Sequence, residues 1–195
     1  MLDSLDAPWR EVLLLGWEAY EAGTIPVGAV IVDEAGEVVV RGRNRIFGEP
    51  HDGQLAGSRL AHAEVNALSQ LPAEDTYGGL TLYSLLEPCH LCLGAAYSAR
   101  VGTVRFAAPD PWGGAIGKLV PTEDHLVHPV VVEGPLQNGL ARLGELLHVA
   151  HFLWRVPDSN VARFYRRTRP DLVEAAQSLP RPCSGATLEA ALAAL

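Results

Sequence analysis

Two short motifs, each placed where a helix is predicted to begin, constrain this chain more than any other feature. The tripeptide His62-Ala63-Glu64 stands at the start of one predicted helix, and Pro88-Cys89-His90-Leu91-Cys92 stands at the start of the next. The thiolate is the metal-binding form of cysteine, and a helix N-terminus lowers the thiol pKa because its free N–H groups favour negative charge. Two cysteines three residues apart on a first turn can face one ion, and Pro88 suits that turn because its missing N–H costs nothing there. The fold is therefore expected to bring the two helix starts together around a metal ion.

The number of candidate ligands separates a catalytic from a structural zinc site. His62, Cys89 and Cys92 make three protein ligands, whereas a closed structural site has four. Three ligands leave one position for water, whose pKa zinc lowers toward ~7. Glu64 lies about 200° around an ideal helix from His62, so at a helix start both side chains can reach one cavity from different sides. The pattern predicts a catalytic zinc with Glu64 as its general acid and base.

Two other interpretations of these residues stay open. A Cys-x-x-Cys pair also occurs in redox proteins and as half of a structural zinc site. A structural site would need a fourth ligand, for which His90, His51 and Cys183 are the candidates. His90 stands between the two cysteines of the motif and is expected to point away from their ion.

Predicted helices alternate with predicted strands along the chain, which indicates an α/β fold. Helices are predicted over about 8–22, 61–70, 88–98, 136–154 and, once or twice, 159–179, and strands over 25–32, from 38, 80–86, 101–107 and 127–132. The first two strands read as a hairpin around a glycine-containing turn, and the single helix between the third and fourth strands favours a parallel crossover. The expected architecture is a three-layer α/β/α fold with helices on both faces of a five-stranded mixed sheet.

The length of the chain allows one main core. Its 195 residues, 48% of them apolar, can bury one sizeable core but not two comfortable domains. We expect one domain over 1–156 and a helical extension over 157–195 packed on it. Three cysteines argue against a disulfide framework, and no apolar run approaches the ~20 residues of a membrane span. The first residues are acidic rather than basic, so we expect a cytoplasmic protein without a membrane partner.

The charge of the chain is uneven. The net charge of −8 counts against a large polyanionic partner, because gripping nucleic acid phosphates needs a basic surface. Residues 155–182 hold six arginines and carry +3, which leaves −11 for the rest. This segment is expected to be a solvated helix face, although the neighbours Phe164-Tyr165-Arg166-Arg167 also suit a contact with nucleic acid.

Four stretches of the sequence carry a resemblance to a known family. They are Ile25-Pro26-Val27-Gly28-Ala29-Val30, Gly42-Arg43-Asn44-Arg45, His62-Ala63-Glu64 and Leu86-Glu87-Pro88-Cys89-x-x-Cys92-x-Gly94-Ala95. With them the chain resembles the cytidine/deoxycytidylate deaminase superfamily, whose zinc enzymes carry an H-x-E…P-C-x-x-C signature. Over residues 8–107 it looks most like the branch of tRNA-adenosine deaminases and guanine or cytosine deaminases.

The resemblance implies a cofactor and a reaction. One zinc ion per chain would be held by His62, Cys89 and Cys92, and hydroxide on that zinc would attack the ring carbon that bears the amino group. Glu64 would be the proton shuttle that passes protons to the ring nitrogen and the leaving amine, so that ammonia is released. We therefore expect a zinc-dependent hydrolytic deaminase of a nucleobase or nucleoside, a hydrolase acting on C–N bonds of cyclic amidines.

The resemblance also implies substrate contacts and an assembly. Asn44 is expected to touch the substrate, a backbone N–H group near Ala63 is expected at the reacting centre, and the family commonly assembles as dimers or larger, so a homodimer is expected. Trp112 stands in the loop 109–114, where the chain departs from the family, and is expected either to stack on a base or to pack on a dimer partner. The loop 46–61 is longer than its counterpart in tRNA-adenosine deaminases and reads as an inert insertion or as part of the pocket mouth.

Three functions are compatible with these observations. The acidic charge favours a small free base or nucleoside as the substrate. A tRNA-adenosine deaminase, which converts adenosine to inosine, is the alternative supported by the amino-terminal half and the arginine-rich tail. A non-catalytic interaction module stabilised by zinc would need four protein ligands, so the count of three argues against it.

Overall fold

The computed structural model describes residues 2–49, 53–73, 77–120 and 122–193. At its centre lie five strands, which pair in the order β2-β1-β3-β4-β5. They are β1 (Gly28–Val32), β2 (Val38–Arg43), β3 (Tyr77–Leu86), β4 (Val101–Ala108) and β5 (Val131–Glu133). The β1 strand is antiparallel to β2 and to β3, whereas β4 is parallel to β3 and to β5. The predicted hairpin, parallel crossover and five-stranded mixed sheet are therefore confirmed.

Helices cover both faces of the sheet, as the three-layer prediction requires. They are α1 (Ala7–Glu21), α2 (Ala63–Leu68), α3 (His90–Ala99), α4 (Glu123–Val127), α5 (Gly139–Arg155), α6 (Asn160–Thr168), α7 (Pro170–Ala176) and α8 (Leu188–Ala193). The apolar residues of α2 and α3 pack on one face of the sheet, among them Ala63, Ala67 and Ala96. The apolar residues of α1 and α5 pack on the other face with the side chains of Val30 and Leu85.

The carboxyl-terminal helices join the core on the α1 and α5 face. Tyr165 of α6, Leu172 of α7 and Leu188 of α8 are each at most 3% exposed and belong to the same apolar cluster as α5. The division of the chain into 1–156 and an extension from 157 stays a prediction. In the part of the chain that the structure describes, no helix is both long enough and apolar enough to cross a membrane.

The prediction of a strand over 127–132 was wrong for most of its length. Residues up to Val127 belong to the short helix α4, and the strand β5 begins only at Val131. The reason is a capping box at Thr122, whose side chain accepts from the third residue of the helix while its own N–H donates to His125 Nδ1 at 3.2 Å. The run of apolar residues is thus divided by helix capping before it becomes a strand.

Candidate active site

The start of α2 lies directly on strand β2. His62 is the N-cap residue with extended backbone, and Glu64 stands in the first turn of the helix. A Cβ atom on Gly42 of β2 would lie 2.4 Å from the carbonyl oxygen of Ala63, so only glycine permits this approach. The amide Nδ2 of Asn66 donates to the carbonyl of Leu55 at 3.0 Å, which ties the same helix to the loop before it. The helix start is therefore held from both sides.

The start of α3 faces the start of α2. Cys89 is the N-cap residue of α3, and Cys92 is buried in its first turn. Pro88 lies one residue before the N-cap, so its predicted place in the first turn of the helix was wrong. The carbonyl oxygen of Pro88 accepts a hydrogen bond from Ala115 N at 3.0 Å. This bond and a β-bridge between Cys89 and Gly114 bring the loop after β4 beside the site.

Three donor atoms from the two helix starts form a compact triangle. The Sγ atoms of Cys89 and Cys92 are 3.6 Å apart, and they lie 3.6 Å and 3.4 Å from Nδ1 of His62. A tetrahedral zinc with bonds of about 2.3 Å to sulfur and 2.0–2.1 Å to nitrogen has ligand–ligand edges of about 3.5–3.8 Å. The donor set and its spacing therefore fit one zinc ion.

Among the residues the structure describes, no fourth ligand accompanies these three. His62, Cys89 and Cys92 form the one group of metal-binding side chains found there. His90 is exposed and outside this group, and Cys183 is an exposed free cysteine. The remaining candidate, His51, lies outside the described residues. The geometry is that of a three-ligand site.

The thiol pKa values of the two cysteines shift in opposite directions. The hydrogen bond between the two sulfurs, aided by His62, lowers the pKa of Cys89 well below its usual value. The same bond raises the pKa of Cys92, and burial adds to the effect. One thiolate is thus already favoured by the protein, and a bound cation would hold both sulfurs deprotonated.

Glu64 is a buried carboxyl group beside the metal ligands. Its side chain is 4% exposed, with Oε2 3.2 Å from Cys92 Sγ and Oε1 3.1 Å from Ser84 Oγ. Burial raises the pKa of Glu64, and the nearby His62 opposes the increase. A buried carboxyl group in contact with a metal ligand is placed where a general acid and base would be needed.

A small cavity of about 80 Å³ opens beside the triangle. Its wall includes Ile25, Val27, Asn44, His62, Glu64, Leu86, Glu87, Cys89, Asp110 and His148. Asn44 is buried, and its Oδ1 accepts from Thr24 Oγ1 at 2.5 Å and from Ile46 N at 3.2 Å. These bonds fix the amide and leave its Nδ2 group to donate to a ligand.

A larger neighbouring cavity of about 420 Å³ shares two wall residues with the first, Ile25 and His62. Phe47 and Arg59 line it from the loop 46–61, and Phe152 lines it from α5. Part of that loop therefore borders the region around the metal ligands.

Trp112 lies apart from the wall of the small cavity. Its indole is 46% exposed and its ring centre is 5.4 Å from that of Phe164 in α6. The roles predicted for Trp112 and for the backbone at Ala63 stay predictions.

Sequence reasoning assigned no role to three polar wall residues, Glu87, Asp110 and His148. Asp110 was interpreted as a turn residue, and its Oδ1 does accept from the backbone N–H groups of Trp112 and Gly113. His148 lies on α5, 56 positions after Cys92, and no local pattern links it to the motifs. The one available signal was a histidine on the apolar face of a predicted helix.

Several tail arginines have partners within the chain. Arg169 contacts Asp171 and Glu145, and the Arg181 guanidinium lies 4.3 Å from the centre of the Trp154 ring. Arg166 donates to the carbonyl of Pro157 at 2.7 Å. These contacts favour the interpretation of the segment as a solvated helix face.

Comparisons with known proteins agree with this geometry. Residues 5–108 match the model of the cytidine and deoxycytidylate deaminase zinc-binding region. A tRNA(Ile)-lysidine synthase of Deinococcus radiodurans is 37% identical over 143 residues, which are 71% of this chain and 23% of that protein. A tRNA-specific adenosine deaminase of Bacillus subtilis is 37% identical over 114 residues, which are 57% of this chain and 66% of that protein.

A solved structure from a study of A-to-I editing by tRNA:A34 deaminases has the same fold. It superposes with a TM-score of 0.55 at 25% identity and covers 70% of this chain and 97% of that one. The expected superfamily and fold are confirmed. The chain spans less than two thirds of the length of the two sequence relatives.

Proposed function

Because the chain belongs to the cytidine and deoxycytidylate deaminase family, we propose that it is a zinc-dependent hydrolytic deaminase of a nucleobase or nucleoside. The observation that carries the proposal is the triangle of His62, Cys89 and Cys92 at 3.4–3.6 Å, with the buried carboxyl group of Glu64 in contact with it. A structural zinc site would have four protein ligands and no open position.

The residues of the chain have distinct tasks in this reaction. Zinc held by the three ligands would supply a Lewis acid that activates water for attack on the ring carbon bearing the amino group. The Glu64 carboxylate takes one proton from the attacking water and delivers it to the ring nitrogen. It then takes the remaining proton of the added hydroxyl group and delivers it to the leaving amine. The carbon–nitrogen bond breaks, ammonia leaves, and a carbonyl group remains on the ring.

Two polar residues support Glu64 and the base. The Ser84 hydroxyl donates to Oε1 of Glu64 at 3.1 Å, so it holds the carboxylate in one orientation. Asn44, fixed through Thr24, contacts the base with its Nδ2 group. The backbone N–H group at Ala63 is assigned to the reacting centre by the family resemblance.

Adenosine within tRNA is the second candidate substrate. Its support is the similarity to the Bacillus subtilis tRNA-specific adenosine deaminase, together with two exposed aromatic side chains, Phe47 and Trp112, on loops that border the cavities. Exposed aromatic rings suit stacking with bases that flank a target. The net charge of −8 and the paired arginines of the tail favour the small substrate.

A substrate panel tests the proposal and separates the candidates. The zinc-loaded protein is incubated with adenine, guanine, cytosine, their nucleosides and unmodified tRNA, and both ammonia and inosine are measured. Ammonia from a free base or nucleoside supports the main proposal, and inosine in tRNA alone supports the second candidate. Absence of both products, with zinc bound, would instead favour the non-catalytic zinc module.

Two further proposals rest on the resemblance or the composition alone. We propose a homodimer, which sedimentation of the purified protein would test, and a cytoplasmic location, which fractionation of cells would test. Expression of residues 1–156 would test the proposed domain division, since a folded product is expected only if the helical extension is dispensable.

A further inference from the structure

Helix α5 buries two histidines whose ring nitrogens have no partner. His148 is 5% exposed and His151 is 0% exposed, and among the described residues no hydrogen bond reaches any of their four ring nitrogens. Leaving a buried polar group unsatisfied is costly, so such groups need a specific explanation. A ligand that bonds to the ring nitrogens is one such explanation, and it applies only to a histidine that borders a cavity.

Only one of the two borders the candidate active site. His148 forms part of the wall of the small cavity together with Glu64, Asn44 and Asp110, whereas His151 is not among the residues that line it. The His148 ring packs against Phe152 at 5.0 Å and Tyr165 at 5.8 Å between ring centres. These contacts hold the imidazole in place at the cavity wall.

The surroundings of His148 fix its hydrogen-bonding character. Burial lowers the pKa of His148, and the negative charge of Asp110 opposes this effect without cancelling it. Burial therefore favours the neutral imidazole, which has one donor and one acceptor. Asp110 lines the same cavity, and two backbone N–H groups hold its carboxylate in place there.

We propose that His148 is a specificity-determining residue that hydrogen-bonds the nucleobase inside the cavity. The proposal rests on the deaminase function above and names the chemistry of the contact. The recognised edge carries a ring nitrogen or carbonyl next to an N–H group, which a neutral imidazole and the neighbouring carboxylate complement together. A site built to hydrogen-bond its substrate rejects a base that leaves these groups unpaired.

Three variants separate this role from a packing role. His148→Leu removes both nitrogens at similar volume, His148→Gln keeps a donor and an acceptor, and His151→Leu is the matched control on the same helix. Each protein is assayed for kcat/KM on every base of the substrate panel, with zinc content and thermal unfolding measured in parallel. We expect His148→Leu to lower kcat/KM on the best substrate at least ~10-fold. The ratio of kcat/KM for that substrate to kcat/KM for the other bases should therefore decrease.

The other two variants also have expected results. His148→Gln should recover part of the preference, and His151→Leu should leave kcat/KM within about 2-fold of the parent protein, consistent with its position away from the cavity wall. If His148→Leu binds zinc, unfolds at the parent temperature or above and keeps both the rate and the base preference, the proposal is wrong. A loss of activity equal in all three variants would also contradict it, because it would point to packing.

A binding measurement distinguishes failure of this inference from failure of the proposed function. The zinc-loaded Glu64→Gln protein, with and without His148→Leu, is titrated calorimetrically with each base of the panel. If the parent protein releases no ammonia but His148→Leu still weakens binding of one base at least ~10-fold, the function fails and the His148 contact stands. If ammonia is released and binding is the same in both proteins, the function stands and the His148 contact is refuted.

Discussion

The Sγ atom of Cys92 lies 3.4 Å from Nδ1 of His62, although 30 positions separate the two residues along the chain. The two atoms lie close together because the starts of α2 and α3 converge. The distance matches the sulfur–nitrogen edge of a tetrahedral zinc site.

Replacing Cys92 with serine is expected to abolish zinc binding. The variant removes a buried thiolate ligand from a three-ligand site, so the zinc content should fall from one ion per chain to a small fraction of it. Metal analysis after dialysis measures the effect. Cys183→Ser changes an exposed free cysteine and should retain the full zinc content; equal loss in both variants would contradict the assignment.

Gly42→Ala is expected to disturb the site by displacing the start of α2. The added Cβ would lie 2.4 Å from the Ala63 carbonyl oxygen, so α2 must shift and the free energy of unfolding should fall by about 1–3 kcal/mol. Denaturant unfolding and zinc affinity measure the two consequences. Gly94→Ala is the control, because a Cβ added there on α3 would meet nothing within 4 Å and a helical alanine should stabilise by up to about 1 kcal/mol.

The stability of the protein should depend on pH through His151. Burial lowers the pKa of His151 to about 3, aided by repulsion from His148 once that ring is protonated at low pH and by the charge of Arg155. An unfolded histidine titrates near ~6.5. Between these two pKa values the unfolded state therefore binds more protons than the folded state. The free energy of unfolding is highest above pH ~6.5 and decreases as the pH falls below that value.

Comparison of the parent protein with His151→Leu isolates this contribution. Their difference in free energy of unfolding should change by roughly 1–2 kcal/mol between pH 6.5 and pH 5, in favour of the leucine variant at the lower pH. Urea unfolding at several pH values gives the measurement. A difference that does not vary with pH would mean that His151 titrates alike in the folded and unfolded states.

Trp112→Ala is expected to affect substrate binding more than chemistry. The indole is exposed beside Phe164 and away from the metal ligands, so its loss should raise KM several-fold and leave kcat nearly unchanged. Steady-state kinetics with the best substrate of the panel measure both constants. Trp154→Ala removes a tryptophan of similar exposure that packs on Arg181, and it should change neither constant.

The sequence was sufficient to predict the site where the residues are local to the motifs. His62, Glu64, Cys89 and Cys92 stand at helix starts, and the geometry of a first turn restricts where such side chains can point. The α/β layers followed from helices alternating with strands along the chain. The β1 strand is a continuous apolar run because it is buried on both faces, and α1 is apolar along one stripe.

The rest of the cavity depends on tertiary structure that no local pattern encodes. Asp110 reaches the wall because Cys89 pairs with Gly114, and His148 reaches it because α5 packs across the sheet. The polar residues of the cavity wall therefore come from distant parts of the chain. A short polar sequence such as that around Thr122 likewise decides between helix and strand by capping, which an apolar run alone does not indicate.

The most direct test of the proposed mechanism is ammonia release by zinc-loaded Glu64→Gln protein on the best substrate of the panel. The glutamine keeps the size and the contact with Ser84 but cannot carry a proton, so zinc content should stay at the parent level. We predict that ammonia release falls ~10²- to 10⁴-fold. Release at the parent rate, with zinc fully bound, would contradict the assignment of Glu64 and with it the proposed mechanism.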